Sequence, residues 1–293
     1  MLRMAILVGA LSLTAPAIAN AREPLVLEPS SAWNIDYSPE SCKLGRKFGE
    51  GDNAVTIVLT KSAPGPKMQM LAIGKPLKIK WLGDIRYGWW PELDGESLDS
   101  GALFGQSDGI TSMLLVTSLV PFPPNPDEPY VYTIGDLERQ EKARAAEITE
   151  FRFVKGVKRP ITFKLGGMSA PMAALDTCLD ALVEHWGLDP AIQRRLQRSV
   201  TPANDPHKWV TDSDYPVSAV KQGRAAIIDF RVLVDEEGEI TRCDPIGTFV
   251  ESDFSDGLCN LIKARARMTP ALGPDGEPVA SYFVGTIRYQ ISS

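Results

Sequence analysis

Apolar and polar residues alternate along much of the first 120 residues of the chain. Trp33, Ile35 and Tyr37 form the first such run, and four more lie at 55–59, 68–72, 77–81 and 114–120. A period of two residues predicts strands with one buried face. Gly-Pro turn signals at 64–66 and 74–76 separate neighbouring runs, which favours an antiparallel sheet.

Two helical regions follow these runs. Residues 136–150 are highly charged with few apolar positions, so we predict a solvated helix there. In residues 169–198, Leu175, Cys178 and Leu182 share one stripe of a 3.6-residue period, and Gly187 can end the first helix before a short basic one. We expect residues 22–200 to form a β-rich domain with helices.

The last part of the chain has a different pattern. Residues 201–214 lack periodicity and predict a linker. Beyond it, the segments 226–234, 239–246 and 279–290 predict strands, and an apolar stripe that includes Phe254 and Leu258 predicts a helix. For residues 215–293 we expect a three-stranded antiparallel sheet with two helices on one face, and for the whole chain the α+β class.

Turn and packing residues in this region occur in a characteristic order: Tyr215, Pro216, Gly223, Gly238, Pro270, Ala271, Gly276 and Pro278. In that order and spacing, residues 212–293 resemble the C-terminal domain of TonB-family energy transducers. The resemblance implies a periplasmic module that binds a short segment of a TonB-dependent outer-membrane receptor by strand addition, without a cofactor. An edge strand can do this because its N–H and C=O groups lack partners.

The resemblance places the binding edge near the C-terminus. The residues it implies are Val279, Ser281, Phe283, Gly285, Ile287 and Tyr289. The partner would be another protein, and the sequence leaves open whether a second copy of the chain blocks the same edge.

The N-terminus has the layout of a secretory signal peptide. Arg3 precedes an apolar run at 5–15, and the small-residue pattern Ala17-Ile18-Ala19 follows. We predict that residues 1–21 are removed, that the mature chain has no membrane span and that it is periplasmic. A membrane anchor that is not cleaved is the alternative. TonB-type transducers have an anchor and a long proline-rich spacer instead, so we expect a TonB-like binding protein associated with transmembrane transport rather than a transducer.

The four cysteines form an even set, as expected in an oxidising compartment. Of the three pairings they permit, sequence proximity favours Cys243 with Cys259 and leaves Cys42 with Cys178. Four buried free thiols are the alternative. None of the spacings is typical of a metal site, so we predict none.

Charge and motifs narrow the possible chemistry. A net charge of −6 gives no electrostatic reason to expect nucleic acid as a partner. The segment Leu98-Asp99-Ser100-Gly101-Ala102 resembles the core motif of aspartic proteases, but only one apolar residue precedes Asp99. We therefore predict a protein that is not an enzyme and assign no catalytic residue. A periplasmic hydrolase that uses Asp99, with the TonB-like region as a docking domain, is the alternative.

Overall fold

A computed structural model describes residues 23–80, 85–91, 99–100, 102–120, 133–246 and 252–289, with the backbone alone at residues 99 and 100. The predicted signal peptide, Gly101 and Gln290 lie outside these ranges. The strands are β1 (Leu25–Leu27), β2 (Asn34–Ser38), β3 (Ser41–Phe48), β4 (Val55–Lys61), β5 (Met68–Gly74), β6 (Arg86–Trp90), β7 (Asp99–Ser100), β8 (Leu103–Ser107), β9 (Ile110–Thr117), β10 (Glu150–Lys155), β11 (Ile161–Lys164), β12 (Thr201–Pro202), β13 (Ala226–Val234), β14 (Ile240–Ile246), β15 (Met268–Thr269), β16 (Ala271–Leu272), β17 (Pro278–Val279) and β18 (Ser281–Tyr289). The helices are α1 (Ile134–Glu147), α2 (Ser169–His185), α3 (Pro190–Gln193), α4 (Val217–Lys221), α5 (Ser252–Ser255) and α6 (Leu258–Arg265).

Two sheets and helix α2 share the first hydrophobic core. One sheet is antiparallel with the order β2-β3-β4-β5-β9-β8, and the other has the order β1-β11-β10-β6-β7. Alternate residues of β4 and β5, such as Leu59 and Met70, are fully buried, as the period of two predicts. The run at 77–81 is different, because Ile79 makes only an isolated bridge with Val157.

The helices differ from their predictions in two ways. The first, α1, ends at Glu147, and Glu150 already belongs to β10. It is also not simply solvated, since Glu141 is buried and its carboxylate accepts hydrogen bonds from the buried Lys61 ammonium. Charge alone suggested exposure, whereas a partner on another element allows this carboxylate to be buried. The predicted basic helix after Asp189 is only the short α3.

Strands β14, β13 and β18, in that order, form an antiparallel sheet over the second core. Ile228, Phe230 and Val232 of β13 pack with Phe254 and Leu258 of the helices on one face. The α+β class is therefore confirmed. The predicted last strand is divided, because Val279 pairs with Ala271 in a separate ladder.

Residues 201–214 do not form an open linker. Strand β12 pairs with β15, and the Trp209 side chain is only 2% exposed in the second core. Its indole N–H donates to Asn204 Oδ1 at 2.8 Å, and Asp214 pairs with Arg265 of α6. These side-chain contacts hold the segment without regular secondary structure, which explains why it has no periodicity. Where a domain boundary falls stays a prediction.

Both predicted disulfides are confirmed. Cys42 of β3 is bonded to Cys178 of α2, with 5.9 Å between their Cα atoms. Cys243 of β14 is bonded to Cys259 of α6, with a Cα separation of 5.6 Å. Each therefore joins a strand to the helix that packs on it.

Candidate partner-binding site

The outer edge of β18 is the candidate site. This strand pairs with β13 along nine residues, from Ser281 opposite Val234 to Tyr289 opposite Ala226. The sheet order puts β18 at one side of the sheet, and no other described strand pairs with it. Its outward N–H and C=O groups have no backbone partner in the part of the chain that the structure describes.

The helix-side face of β18 is apolar and closely packed. Phe283 and Ile287 are half-buried, and Tyr289 is buried. Between them, a Cβ atom on Gly285 would lie 2.4 Å from Cζ of Phe230, so the Phe230 ring occupies the space of a side chain there. The Trp209 ring lies 6.0 Å from the Phe283 ring and covers this face.

The opposite face of the sheet rests on the first core. The Tyr282 ring makes an edge contact with Trp186 of the turn after α2, with 5.2 Å between ring centroids. The Tyr282 hydroxyl donates to the Pro64 carbonyl oxygen at 3.3 Å, and burial raises the pKa of this phenol well above its ordinary value. Both faces of the sheet are therefore covered near Tyr282, which leaves the outer edge of β18 as the candidate surface among the described residues.

A polar cluster lies on this covered face beside β18. The buried Asp229 carboxylate accepts hydrogen bonds from the Gln69 amide at 2.8 Å and from the Thr286 hydroxyl at 2.7 Å. The Lys67 ammonium contacts both Asp229 and Thr286. Lys67 and Gln69 belong to the N-terminal part, so the cluster joins that part to the edge strand.

A second charged cluster surrounds Arg231, whose side chain is 0% exposed. Its guanidinium lies over the Trp186 ring, 4.1 Å from the centroid, and donates to Asp244 at 2.9 Å and to Glu40 at 2.5 Å. Burying a cation is costly unless it is paired, and here two carboxylates and an aromatic face provide the compensation. The cluster fixes the sheet against the β2–β3 turn that carries Glu40.

The start of β18 is held by side-chain hydrogen bonds. The Gln193 amide donates to the Ala280 carbonyl at 3.0 Å, and its oxygen accepts from the Ser281 hydroxyl at 2.6 Å. Gln193 lies at the end of α3, whose N-terminus is capped by Asp189. The position of the edge strand is therefore fixed at its first residue.

The residues that the sequence implied for the edge lie mostly on one strand face. Five of the six belong to β18, and Val279 belongs to β17. Of the motif glycines, Gly223, Gly238 and Gly276 have positive φ. At Gly238 a Cβ atom would also lie 2.6 Å from the Met268 carbonyl oxygen, so only glycine fits.

Other motif residues pack behind the edge. The Tyr215 ring packs against the Tyr289 ring, with 5.2 Å between their centroids. The Tyr215 hydroxyl donates a hydrogen bond to the Arg224 carbonyl oxygen at 2.8 Å. Ala271 is fully buried beside β17. These residues support the edge strand rather than line it.

Sequence reasoning missed the partners that come from the N-terminal part, namely Lys67, Gln69, Trp186 and Gln193. None belongs to a local motif, because each acts across more than 85 residues of chain. One signal was present. Asp229 and Arg231 are charged residues in an otherwise apolar strand, and both are buried and paired in the structure.

The protease-like motif gains no further support. Asp99 and Ser100 form the short strand β7, which pairs with Tyr87 and Arg86 of β6. Across the described ranges, no group of three or more His, Cys, Asp or Glu side chains is arranged to hold a metal ion. Among the helices in those ranges, none has both the length and the apolarity to cross a bilayer.

Comparison with models of protein families and with curated proteins gives no match for the chain. The resemblance to TonB-type domains therefore depends on the order and spacing of the residues quoted above.

Proposed function

We propose that this protein binds an extended segment of a partner protein, which adds as a fourth strand along the outer edge of β18. The observation that carries the proposal is a nine-residue edge strand whose outer side has no backbone partner among the described residues. From the TonB-like residues we further propose a TonB-dependent outer-membrane receptor as the partner, the periplasm as the location and a binding role in transmembrane transport.

The packing supports this mode of binding. Trp209 covers one face of the sheet, and Trp186 with Lys67 covers the other. The strand is held before a partner arrives, so little conformational entropy is lost on its side of the complex. Main-chain hydrogen bonds would supply affinity, and alternate side chains of the partner would supply specificity.

Pro245 indicates which amides of β18 face the partner. A proline in an edge strand is tolerated where its nitrogen points away from the neighbouring strand. Pro245 lies opposite Phe230, so the N–H and C=O groups of Phe230 face β18 and its partner Gly285. By alternation, the N–H groups of Val284, Thr286 and Arg288 point outward.

The test is amide hydrogen exchange on the full chain with peptides selected from a displayed library of random 12-residue segments. We expect bound peptides to slow exchange at the outward amides of Val284, Thr286 and Arg288, because these gain acceptors. Val284→Pro and Arg288→Pro each remove one outward donor and should abolish or strongly weaken binding. Arg288 is exposed, so Arg288→Pro should change the melting temperature little, whereas Val284 packs on the first core and its replacement should also lower the melting temperature. Arg288→Pro, near the strand end, serves if Val284→Pro does not fold.

Gly285→Pro is the matched control, because it removes an inward donor and should lower the melting temperature instead. The proposal is wrong if no peptide is selected, or if the selected peptides protect amides elsewhere. It is also wrong if both folded outward variants bind as the unmodified chain does.

A further inference from the structure

The loop at 62–67, between β4 and β5, runs beside the edge strand. It meets β18 at two points, where the Pro64 carbonyl accepts from the Tyr282 hydroxyl and where Lys67 contacts Thr286. Four residues of an extended strand span about 13 Å, so the loop follows nearly half of β18. The N-terminal part therefore lies against one face of β18, next to the outer edge that the proposed function assigns to a partner.

Lys67 lies at the border of this edge. Its ammonium contacts Asp229 and Thr286, and its side chain is 27% exposed while that of Asp229 is 7% exposed. A lysine ammonium has three N–H donors. Two are directed to these oxygens, and the third has no partner among the residues that the structure describes.

A strand added to β18 would bring a side chain to this third donor. Neighbouring strands lie about 4.8 Å apart, and directly opposed residues on one face have Cβ atoms about 5 Å apart. Since Lys67 touches the Thr286 hydroxyl, the partner residue opposite Thr286 falls within its reach. Arg288, two residues along on the same face, is exposed and adds a second positive charge.

We propose that the 62–67 loop forms one wall of the strand-binding site and that Lys67 selects a hydrogen-bond acceptor, with Asp or Glu preferred, at the partner position opposite Thr286. This inference rests on the proposed function and adds a specificity residue from the N-terminal part. Lys or Arg at that partner position would face an ammonium group and be disfavoured.

The experiment repeats the peptide selection on the unmodified chain and on Lys67→Met. We expect Asp and Glu to be enriched at one position on the unmodified chain and to lose that enrichment on Lys67→Met. For one selected peptide, replacing the acidic residue by Lys should weaken binding about tenfold on the unmodified chain and much less on Lys67→Met, as for loss of a charge-assisted hydrogen bond.

Two further variants make the result specific. Lys67→Arg keeps the charge and should keep the preference, which guards against a general loss of structure in Lys67→Met. Lys75→Met removes an exposed lysine that pairs with Asp52, and it should change nothing. Identical residue preferences on the unmodified chain and a folded Lys67→Met would overturn the inference while leaving edge binding intact. Failure to obtain any peptide that protects β18 would instead overturn the proposed function.

Discussion

The two outer strands of the C-terminal sheet, β14 and β18, protect their free edges differently. Strand β14 carries Pro245, which offers no N–H group, and Cys243, which a disulfide ties to α6. Its Asp244 is paired with Arg231 and Arg242. Its ladder with β13 also has a register shift between Leu233 and Val234. Strand β18 has no proline and no cysteine, and its ladder is regular over nine residues.

Proline, charge and irregular pairing are the features by which proteins prevent edge-to-edge association. All three occur at one edge of this sheet and are missing, apart from Arg288, at the other. Both edges belong to the same small sheet, so the composition of the chain cannot explain the difference. It is explained if β14 must remain unpaired while β18 receives a strand, and the following predictions test that contrast.

The largest effect is expected at the ion cluster beside β14. Arg231→Ala should lower the free energy of unfolding by about 3–5 kcal/mol, because it leaves the Asp244 carboxylate without its buried cation. Urea unfolding measures this. Arg242→Ala is the control, since its side chain is 40% exposed and its pair with Asp244 should be worth at most about 1 kcal/mol. Equal small losses would show that Arg231 does not hold the sheet.

The disulfide of β14 should come next. Replacing Cys243 and Cys259 by serine removes the cross-link that closes a loop with a sequence separation of 16 residues. On the chain-entropy estimate this should lower the free energy of unfolding by about 3 kcal/mol. Peptide binding at β18 should persist, because the bond lies on the far side of the sheet. Urea unfolding of the double variant measures the loss of stability, and its peptide binding is measured separately without denaturant. Loss of peptide binding in a folded variant would contradict the independence of the two edges.

Gly285 tests the packing of β18 itself. Gly285→Ala should cost about 1–3 kcal/mol through overpacking, because its Cβ would meet the Phe230 ring. Phe230→Leu in the same chain should recover part of that loss, which a double-mutant cycle in urea unfolding detects. Gly167→Ala is the control, since no atom lies within 4 Å of its Cβ position. Additive losses at Gly285 and Phe230 would show that the ring does not fill this space.

Features of the C-terminal sheet that depend on local sequence could be predicted, and those that depend on distant residues could not. The valine-rich strand 226–234 and its turn at Gly238 were predicted correctly, because local periodicity and a glycine with positive φ leave clear signals. The disulfide pairs were also predicted correctly, because sequence proximity favours one of the three possible pairings. What failed were features that depend on distant partners. Trp209 lies in a segment without periodicity, yet it is buried against β18 by tertiary packing.

The candidate site divides in the same way. Five of the implied edge residues lie on β18 because an extended strand can be read locally. Gln193, 88 residues away in the sequence, fixes the start of β18 by a hydrogen bond with Ser281. The sequence of the strand alone therefore could not predict where β18 begins. Lys67 is even more distant from Thr286, at a sequence separation of 219 residues. A long-range side-chain contact leaves no local pattern in the sequence. The sequence therefore could not predict which residues cover this face of the sheet.

A smaller change in the free energy of unfolding is expected when the pH is lowered. A disulfide holds helix α6 on strand β14. In contrast, an ion pair between Asp214 and Arg265 helps to hold the segment 201–214, which packs beside β18. Hydrogen bonds from Arg265 and from the Thr211 backbone keep the pKa of Asp214 well below its ordinary value. The folded state thus binds fewer protons, and this stabilisation is present above about pH 4 and lost as the pH falls below it.

Asp214→Asn isolates this contribution. The variant should be less stable than the unmodified chain at pH 7, and the difference in urea midpoint should shrink as the pH falls toward 3. Asp253 pairs with Arg224 beside α4, and hydrogen bonds from Arg224 and Ser218 hold its pKa below its ordinary value, so Asp253→Asn should show the same direction of pH dependence at another site. A difference for Asp214→Asn that is constant with pH would contradict the role of its charge.

The smallest change in stability is expected at Pro245. Pro245→Val should alter the free energy of unfolding by no more than about 0.5 kcal/mol, since the side chain is half-buried and no inward donor is removed. It restores an outward N–H group on β14, so the sheet would then have two open edges. Sedimentation velocity should show concentration-dependent self-association beyond that of the unmodified chain. Thr241→Val, which adds the same side chain but keeps the proline, should not. If Pro245→Val associates no more than that control, the proline does not protect β14, and the difference between the edges must come from the ion cluster and the disulfide.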